Sequence, residues 1–275
     1  MIKIFFLLNI VNLSAFSQDT LPSKRSDSII LINEIKEYNA VAIHITKTEQ
    51  LFIQTIDHQI IKIDSAGKEV SKYTNKYLGT PQFIYIENPL QLVLFYPAYQ
   101  TMVILDQWMN EIKRVLLNEL RIPFVSTVGL SQDRSIWYFD DQVKRLKKIS
   151  IDGQKSYEST NFITDENADW NSIRCRNNDL ILQAGSGNVY LLNLFGQLKA
   201  QSFIDAQLLG YTGDTFLALN SEKKIVYILD QKSIAVIERF YLPEVLNQTA
   251  SLIMKRDKIY QVDVSGNLKI WKRYF

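Results

Sequence analysis

One unit recurs along this chain with a period near 43 residues, and a repeat of that length leaves few folds open. The unit is an apolar run, a short turn, a second apolar run closing at Asp, Asn or Ser, and often a Gly turn. Its copies are LFIQTIDHQIIKIDSAG (51–67), LVLFYPAYQTMVILD (92–106), IWYFDDQVKRLKKISIDG (136–153), LILQAGSGNVYLLNLFG (180–196), FLALNSEKKIVYILD (216–230) and IYQVDVSGNLKIW (259–271). The residues closing the second run are Asp64, Asp106, Ser150, Asn193, Asp230 and Trp271, spaced 42, 44, 43, 37 and 41 apart. Gly67, Gly153 and Gly196 repeat the same interval.

Each unit resolves into four strands. A first strand is expected over 41–45, 83–86, 125–130, 173–176, 207–211 and 251–254, and a fourth over 68–73, 111–117, 155–159, 198–204 and 234–240. These segments are rich in Val, Ile, Leu, Tyr and Phe and bounded by Asn, Asp, Gly or Pro. Pro22, Pro81, Pro89, Pro97, Pro123 and Pro243 all fall outside the strand interiors, as a residue that cannot donate to a sheet ladder must. The sixth unit has no fourth strand, whereas residues 28–36 (SIILINEIK) supply a spare one ahead of the first unit. Its pairing with the last unit would close a ring and remove the exposed edges of an open sheet. Residues 109–120 carry helical spacing (Met109, Ile112, Val115, Leu116, Leu120), but the repeat register assigns most of them to a strand. The fold class expected is all-β, a six-bladed β-propeller of four-stranded blades closed by its N-terminal strand.

The first 17 residues read as a secretory leader: Lys3, an apolar run to Leu13, then Ala15-Phe16-Ser17 as a cleavage signal. The run is about half of the ~20 apolar residues that a membrane span needs. The expected division is therefore 1–17 signal peptide and 18–275 propeller, exported to the periplasm or surface of a Gram-negative bacterium, with no transmembrane segment after leader removal. Cys175 is the single cysteine, so no internal disulfide is available, and its strand context suits a small buried hydrophobe. With a formal net charge of +2 and no basic run, there is no electrostatic case for nucleic acid.

The strand-turn-strand-Asp-x-x-Gly rhythm resembles the NHL and YncE-like group of six-bladed propellers. Tyr77-Leu78-Gly79-Thr80, Asn88-Pro89-Leu90, Val103-Ile104-Leu105-Asp106 and the leader ending Phe16-Ser17-Gln18 look more narrowly like secreted propellers of Bacteroidota. The resemblance implies fold and compartment and no mechanism. Asp19-Thr20-Leu21, Asp27-Ser28-Ile29 and Asp64-Ser65-Ala66 resemble a short O-glycosylation acceptor pattern of that group.

Catalytic signatures are absent from the sequence. His44, on a first strand and so expected toward a central channel, and His58, in a turn, lack His, Cys or Glu at metal-ligand spacing. Gly185-Ser186-Gly187-Asn188 joins two strands, so it is a hairpin turn and not a phosphate loop. No cofactor is implied. Propeller geometry puts the turns between second and third strands on one face with the crossings between blades, and the candidate binding face is therefore Tyr77, Tyr96, Tyr99, Phe124, Asp140, Asp141 and Trp170. Tyr and Trp offer large, rigid contact area with a polar tip. An acidic stretch (165–170) could add a cation or sugar site with Trp170 as a stacking platform. Trp108 and Met109 are the candidates on the opposite face.

The leading expectation is a non-catalytic exported propeller that binds an envelope or outer-membrane protein through one face. The alternative is a carbohydrate- or small-ligand-binding module at the channel mouth. A lyase or hydrolase acting on glycan or peptide is third.

Overall fold

The computed structural model describes residues 29–46, 48–85, 90–158, 169–176, 178–212 and 215–274. Blade 1 comprises β2 (Ala40–Ile45), β3 (Leu51–Thr55), β4 (Gln59–Ile63) and β5 (Glu69–Thr74). Blade 2 is β6 (Phe83–Tyr85), β7 (Gln91–Tyr96), β8 (Thr101–Asp106) and β9 (Glu111–Leu116). Blade 3 is β10 (Gly129–Leu130), β11 (Ser135–Asp140), β12 (Arg145–Ser150) and β13 (Ser156–Glu158). Blade 4 is β14 (Trp170–Arg176), β15 (Asp179–Ala184), β16 (Asn188–Asn193) and β17 (Leu198–Phe203). Blade 5 is β18 (Gln207–Thr212), β19 (Thr215–Asn220), β20 (Ile225–Asp230) and β21 (Val236–Tyr241). Blade 6 joins β22 (Thr249–Lys255), β23 (Lys258–Asp263) and β24 (Leu268–Arg273) to β1 (Ile29–Ile35) from the other end of the chain. All pairings are antiparallel, and β1 sets Ile29 opposite Arg273 and Ile35 opposite Leu268. The protein is thus a closed six-bladed propeller.

The second strand of each blade is buried along nearly its whole length because the blade is covered on both faces. In β7, Val93 and Phe95 point into the cluster shared with blade 3, while Leu92, Leu94 and Tyr96 point into the cluster shared with blade 1. Six apolar clusters fill the six interfaces between neighbouring blades, the last joining Ile43, Ile53 and Ile61 of blade 1 to Tyr260, Val262 and Ile270 of blade 6. Outer strands face water on one side and accordingly alternate, as in EVSKYT of β5.

The residue that marks the repeat is the one that folds the outer turn. Asp64 Oδ1 accepts from the backbone N–H of Ala66 and Lys68; Asp106 does the same for Trp108 and Asn110, and Asn193 for Phe195 and Gln197. These side chains mimic a backbone turn, which is why Asp, Asn or Ser stands there in blades 1 to 5, whereas blade 6, whose outer strand is β1, needs no such turn after Trp271. The residue three further on adopts positive φ: Gly67 (88°), Gly153 (75°) and Gly196 (69°), but Met109 (72°) in blade 2. Bulges beside these turns, such as that between Lys62 and Ile63, carry the extra residue.

The first strand of blade 3 is shorter than the expected 125–130, with only Gly129 and Leu130 paired. Val125 is held otherwise: its N–H donates to Gln100 Oε1 (3.0 Å) and its carbonyl accepts from Gln100 Nε2 (2.9 Å). A side-chain amide has replaced the ladder. The segment with helical spacing is strand β9 followed by a turn, as the register indicated. The leader, the candidate acceptor sites at Asp19 and Asp27, Asn88-Pro89 and most of the acidic stretch (165–168) lie outside the described residues.

Gly129 sits where the inner strands of blades 3 and 4 approach closely. A Cβ there would lie 2.6 Å from Ile173 Cγ2 and 3.2 Å from both Ile173 O and Cys175 Sγ. Gly129→Ala should destabilise the protein by roughly 1–3 kcal/mol through overpacking, and Gly129→Val by more. Urea denaturation checks this, and an unchanged midpoint for both variants would contradict the close approach.

Candidate functional site

Because strands alternate in direction, the second-to-third-strand turns share one end of the ring with the blade crossings. That face carries Tyr77 (88 % exposed), Phe124 (74 %) and Tyr99 (56 %). Each is presented by a locally fixed turn. Asn75 Oδ1 accepts from the N–H of Tyr77 and Leu78, anchoring the crossing from blade 1 to blade 2. Tyr99 ends a 3-10 turn started by Pro97, closed where Gln100, at φ 45°, donates its N–H to Pro97 O. Phe124 follows Pro123 and precedes the Gln100–Val125 clasp, so Tyr99 and Phe124 flank one rigid junction. Sequence reasoning missed Ile56, Val143 and Val264, which lie exposed in the equivalent turns of blades 1, 3 and 6. They extend the apolar rim from blade 6 round to blade 3, and a comparison of equivalent turn positions across the repeats would have found them.

Other candidates sit elsewhere. Tyr96 is 2 % exposed and belongs to the blade 1–blade 2 core, where burial pushes its phenol well above the ordinary range. Trp170 is 3 % exposed and packs 4.9 Å from Phe139 and 5.7 Å from Tyr190, so it offers no stacking platform to a ligand. Both are strand residues on a face that the neighbouring blade covers. Asp140 is buried; it accepts from Gln142 and Val143 N–H and from Lys147 Nζ at 2.8 Å. Burial opposes its ionisation, but these donors outweigh it and lower its pKa. Asp141 is exposed, 3.6 Å from Lys144 Nζ. On the opposite face Trp108 is exposed, whereas Met109 is buried in the blade 1–blade 2 core.

The second region is the ring axis. His44 lies on inner strand β2 and is only partly accessible; its Nε2 is buried with no hydrogen-bond partner among the described residues. Burial lowers its pKa to about 4, with the charge of Arg174 acting the same way and a hydrogen bond with Gln54 opposing. Arg174 stands on inner strand β14 of blade 4, the blade opposite blade 1 in a ring of six. Its Nε donates to Ser172 Oγ (3.1 Å) and its Nη2 to Leu208 O of blade 5 (3.3 Å). Ile43 N–H donates to Ser251 Oγ (3.3 Å), tying the inner strands of blades 1 and 6. The sequence placed His44 at the axis; Arg174 was missed, since its opposition to His44 exists only once the ring closes. Among the described residues, no three of His, Cys, Asp or Glu gather to hold a metal ion, and no helix is long and apolar enough to cross a membrane.

No protein-family model and no curated protein sequence matches the chain. Solved structures do. The Cps50 (Swd1) β-propeller domain of Myceliophteria thermophila is similar at TM-score 0.62 and 9 % identity, covering 90 % of this chain and 100 % of that one. Virginiamycin B lyase of Staphylococcus aureus, in a catalytically inactive form with quinupristin, is similar at TM-score 0.61 and 11 % identity, covering 90 % and 100 %. The Pan2 WD40 domain of Neurospora crassa is similar at TM-score 0.60 and 9 % identity, covering 92 % and 98 %. At such identities the likeness shows the β-propeller fold and no narrower family. The class so defined is a closed six-bladed propeller with an aromatic rim on one face.

Proposed function

We propose that the protein is an exported propeller that acts by binding, and that it takes a saccharide or other small ligand at the channel mouth on the Tyr77–Tyr99–Phe124 face. The observation that carries this reading is the exposure of three large aromatics on rigid turns of one face, at the same end of the ring as the blade crossings. Aromatic faces stack on apolar ring surfaces, and their rigidity keeps the entropic cost of binding low. The quinupristin-containing lyase structure supports the reading as an example of a similar fold that accommodates a small molecule. Export rests on the leader at residues 1–17, and a purely binding role on the absence of a catalytic motif from the sequence.

A second reading, an envelope-protein partner on the same face, is favoured by one observation: Ile56, Val143 and Val264 widen the rim into an apolar arc. Large exposed apolar patches mark interaction sites. One experiment separates the two. The protein and its Tyr77→Ala/Tyr99→Ala/Phe124→Ala variant are applied to a glycan array and, tagged, to cross-linked envelope fractions. Saccharide binding that weakens at least tenfold in the variant, with an unchanged melting temperature, supports the first reading. Stoichiometric capture of one envelope protein without saccharide binding supports the second. Any ligand retained at full affinity by the triple variant removes the rim from both.

A further inference from the structure

The three aromatics of the rim are mounted around one blade. The crossing that carries Tyr77 is fixed at both ends: Asn75 Oδ1 accepts from the N–H of Tyr77 and Leu78, and Pro81 O accepts from Gln54 Nε2 at 2.6 Å. Thr80 of the same crossing is hydrogen-bonded to His58. Leu78, next to Tyr77, packs on the cluster that holds Tyr96, where the blade 2 turn begins. That turn ends at Tyr99, whose carbonyl accepts from Thr101 Oγ1 (2.7 Å). On its other side the Gln100 side chain clasps Val125, next to Phe124, and Val125 packs in the same cluster as Phe95 of blade 2. Tyr77, Tyr99 and Phe124 are therefore exposed in succession around blade 2, one ring on its turn and one on each flanking crossing.

This succession is nearly free of charge and confined to one sector. Of the residues that adjoin the three rings in the chain (Lys76, Leu78, Ala98, Gln100, Pro123 and Val125) only Lys76 is charged. The equivalent turns of blades 4 and 5, Gly185-Ser186-Gly187 and Ser221-Glu222-Lys223-Lys224, carry no aromatic. One ring offers a platform to one sugar. Three separately mounted rings suit a chain, because each further contact becomes intramolecular once the first is made. With rigid mounts the ligand must supply the regularity: a repeated apolar C–H face, as pyranoses with equatorial substituents present along an extended β-linked chain.

We propose that the rim binds an extended, neutral, β-1,4-linked oligosaccharide of at least three sugar residues, stacked on Tyr77, Tyr99 and Phe124 across the exposed end of blade 2. This rests on the small-ligand reading of the rim above and names its class: a chain and not a single sugar, neutral and not charged, extended and not curled. Stacking uses the faces of the aromatic rings, so the phenol oxygens of Tyr77 and Tyr99 are secondary to it and Phe124 needs none.

The test is calorimetric titration of the protein with cellobiose, cellotriose and cellotetraose, and with maltotetraose as the curled isomer. Affinity is expected to rise at least about tenfold from the disaccharide to cellotetraose, since each added stacking contact is intramolecular. Maltotetraose should bind at least about tenfold more weakly than cellotetraose, its curl leaving rings without a partner. Tyr77→Ala and Phe124→Ala, with melting temperatures unchanged, should each remove most of the gain with length and spare cellobiose. Tyr99→Ala should weaken every chain, whereas Tyr99→Phe should bind as the parent does. Equal affinity along the series, equal binding of the two tetraoses, no binding of cellotetraose, or a length dependence untouched by Tyr77→Ala and Phe124→Ala overturns the proposal. The rim reading is judged apart from it by the glycan array. A saccharide of another class that is bound there and lost in the triple aromatic variant keeps the rim and removes the β-linked chain. An array without any bound glycan removes both, and capture of an envelope protein alone passes the rim to that partner.

Discussion

A chain beginning at Tyr38, which lacks β1, is expected to aggregate or to melt at least about 10 °C lower than the full protein. β1 contributes a whole ladder against β24, from Ile29 opposite Arg273 to Ile35 opposite Leu268. At about 1 kcal/mol net per hydrogen bond, the ladder alone is several kcal/mol of a stability that for domains is typically ~5–15 kcal/mol. Its ends reach both neighbours. Ile29 packs against the blade 5–blade 6 cluster and Ile35 against the blade 6–blade 1 cluster. Ile35 sits so close to Gly67 that a Cβ there would be 2.4 Å from its Cδ1. Without β1, the edge of β24 with its buried Trp271 would open to solvent, a template for pairing with another chain. Differential scanning fluorimetry and size-exclusion chromatography give the result, and a peptide of residues 28–37 added in trans should restore part of the loss. Equal melting temperatures would show that closure carries little of the stability.

The second large effect is in mild acid. His44 is held near pKa 4 in the folded chain, against an ordinary 6.5 when unfolded. Above pH 6.5 neither state binds the proton and stability is complete. As pH falls from 6.5 towards 4 the unfolded chain takes up a proton that the folded chain refuses, so stability falls with pH. At about 1.36 kcal/mol per pKa unit the loss has a ceiling of about 3 kcal/mol, lowered by the accessible part of the ring. A separate window lies below it. At Asp133, burial is outweighed by hydrogen bonds from Lys148 and Ser131, and its pKa is about 2. At Asp263, burial is outweighed by Lys269 and Asn267, again giving about 2. Their stabilisation is present above the ordinary carboxylate value of 3.8 and is lost between about 4 and 2. Urea midpoints measured at intervals from about pH 7 to 3 should therefore decline in two limbs. His44→Gln should flatten the limb between 6.5 and 4 and leave the lower one. A variant with the same upper limb as the parent would remove His44 from its cause.

Much of the architecture was legible in the sequence because a repeat states the same local problem several times. The Asp64, Asp106 and Asn193 turns each answer it with one side chain accepting two backbone N–H groups, and the even spacing of those residues counts the blades. The spare N-terminal strand was legible for a related reason: SIILINEIK has strand character and no partner of its own in the sequence around it. The short β10 was not, since nothing in the spacing of residues 125–130 announces that Gln100, 25 residues earlier, will take the backbone of Val125.

The site divides along the same line. Tyr77, Tyr99 and Phe124 lie in turns that leave them in solvent, but turn position alone does not decide exposure, since Met109 in the outer turn of blade 2 folds back into the blade 1–blade 2 core. Tyr96 and Trp170 are equally aromatic and only a few residues from such turns, yet they lie in strands packed against adjacent blades. Local sequence thus determined the strands, their turns and the number of units. Tertiary structure alone decided which aromatic reaches water and set Arg174 across the axis from His44, because burial and opposition depend on which blade lies alongside and on the closure of the ring.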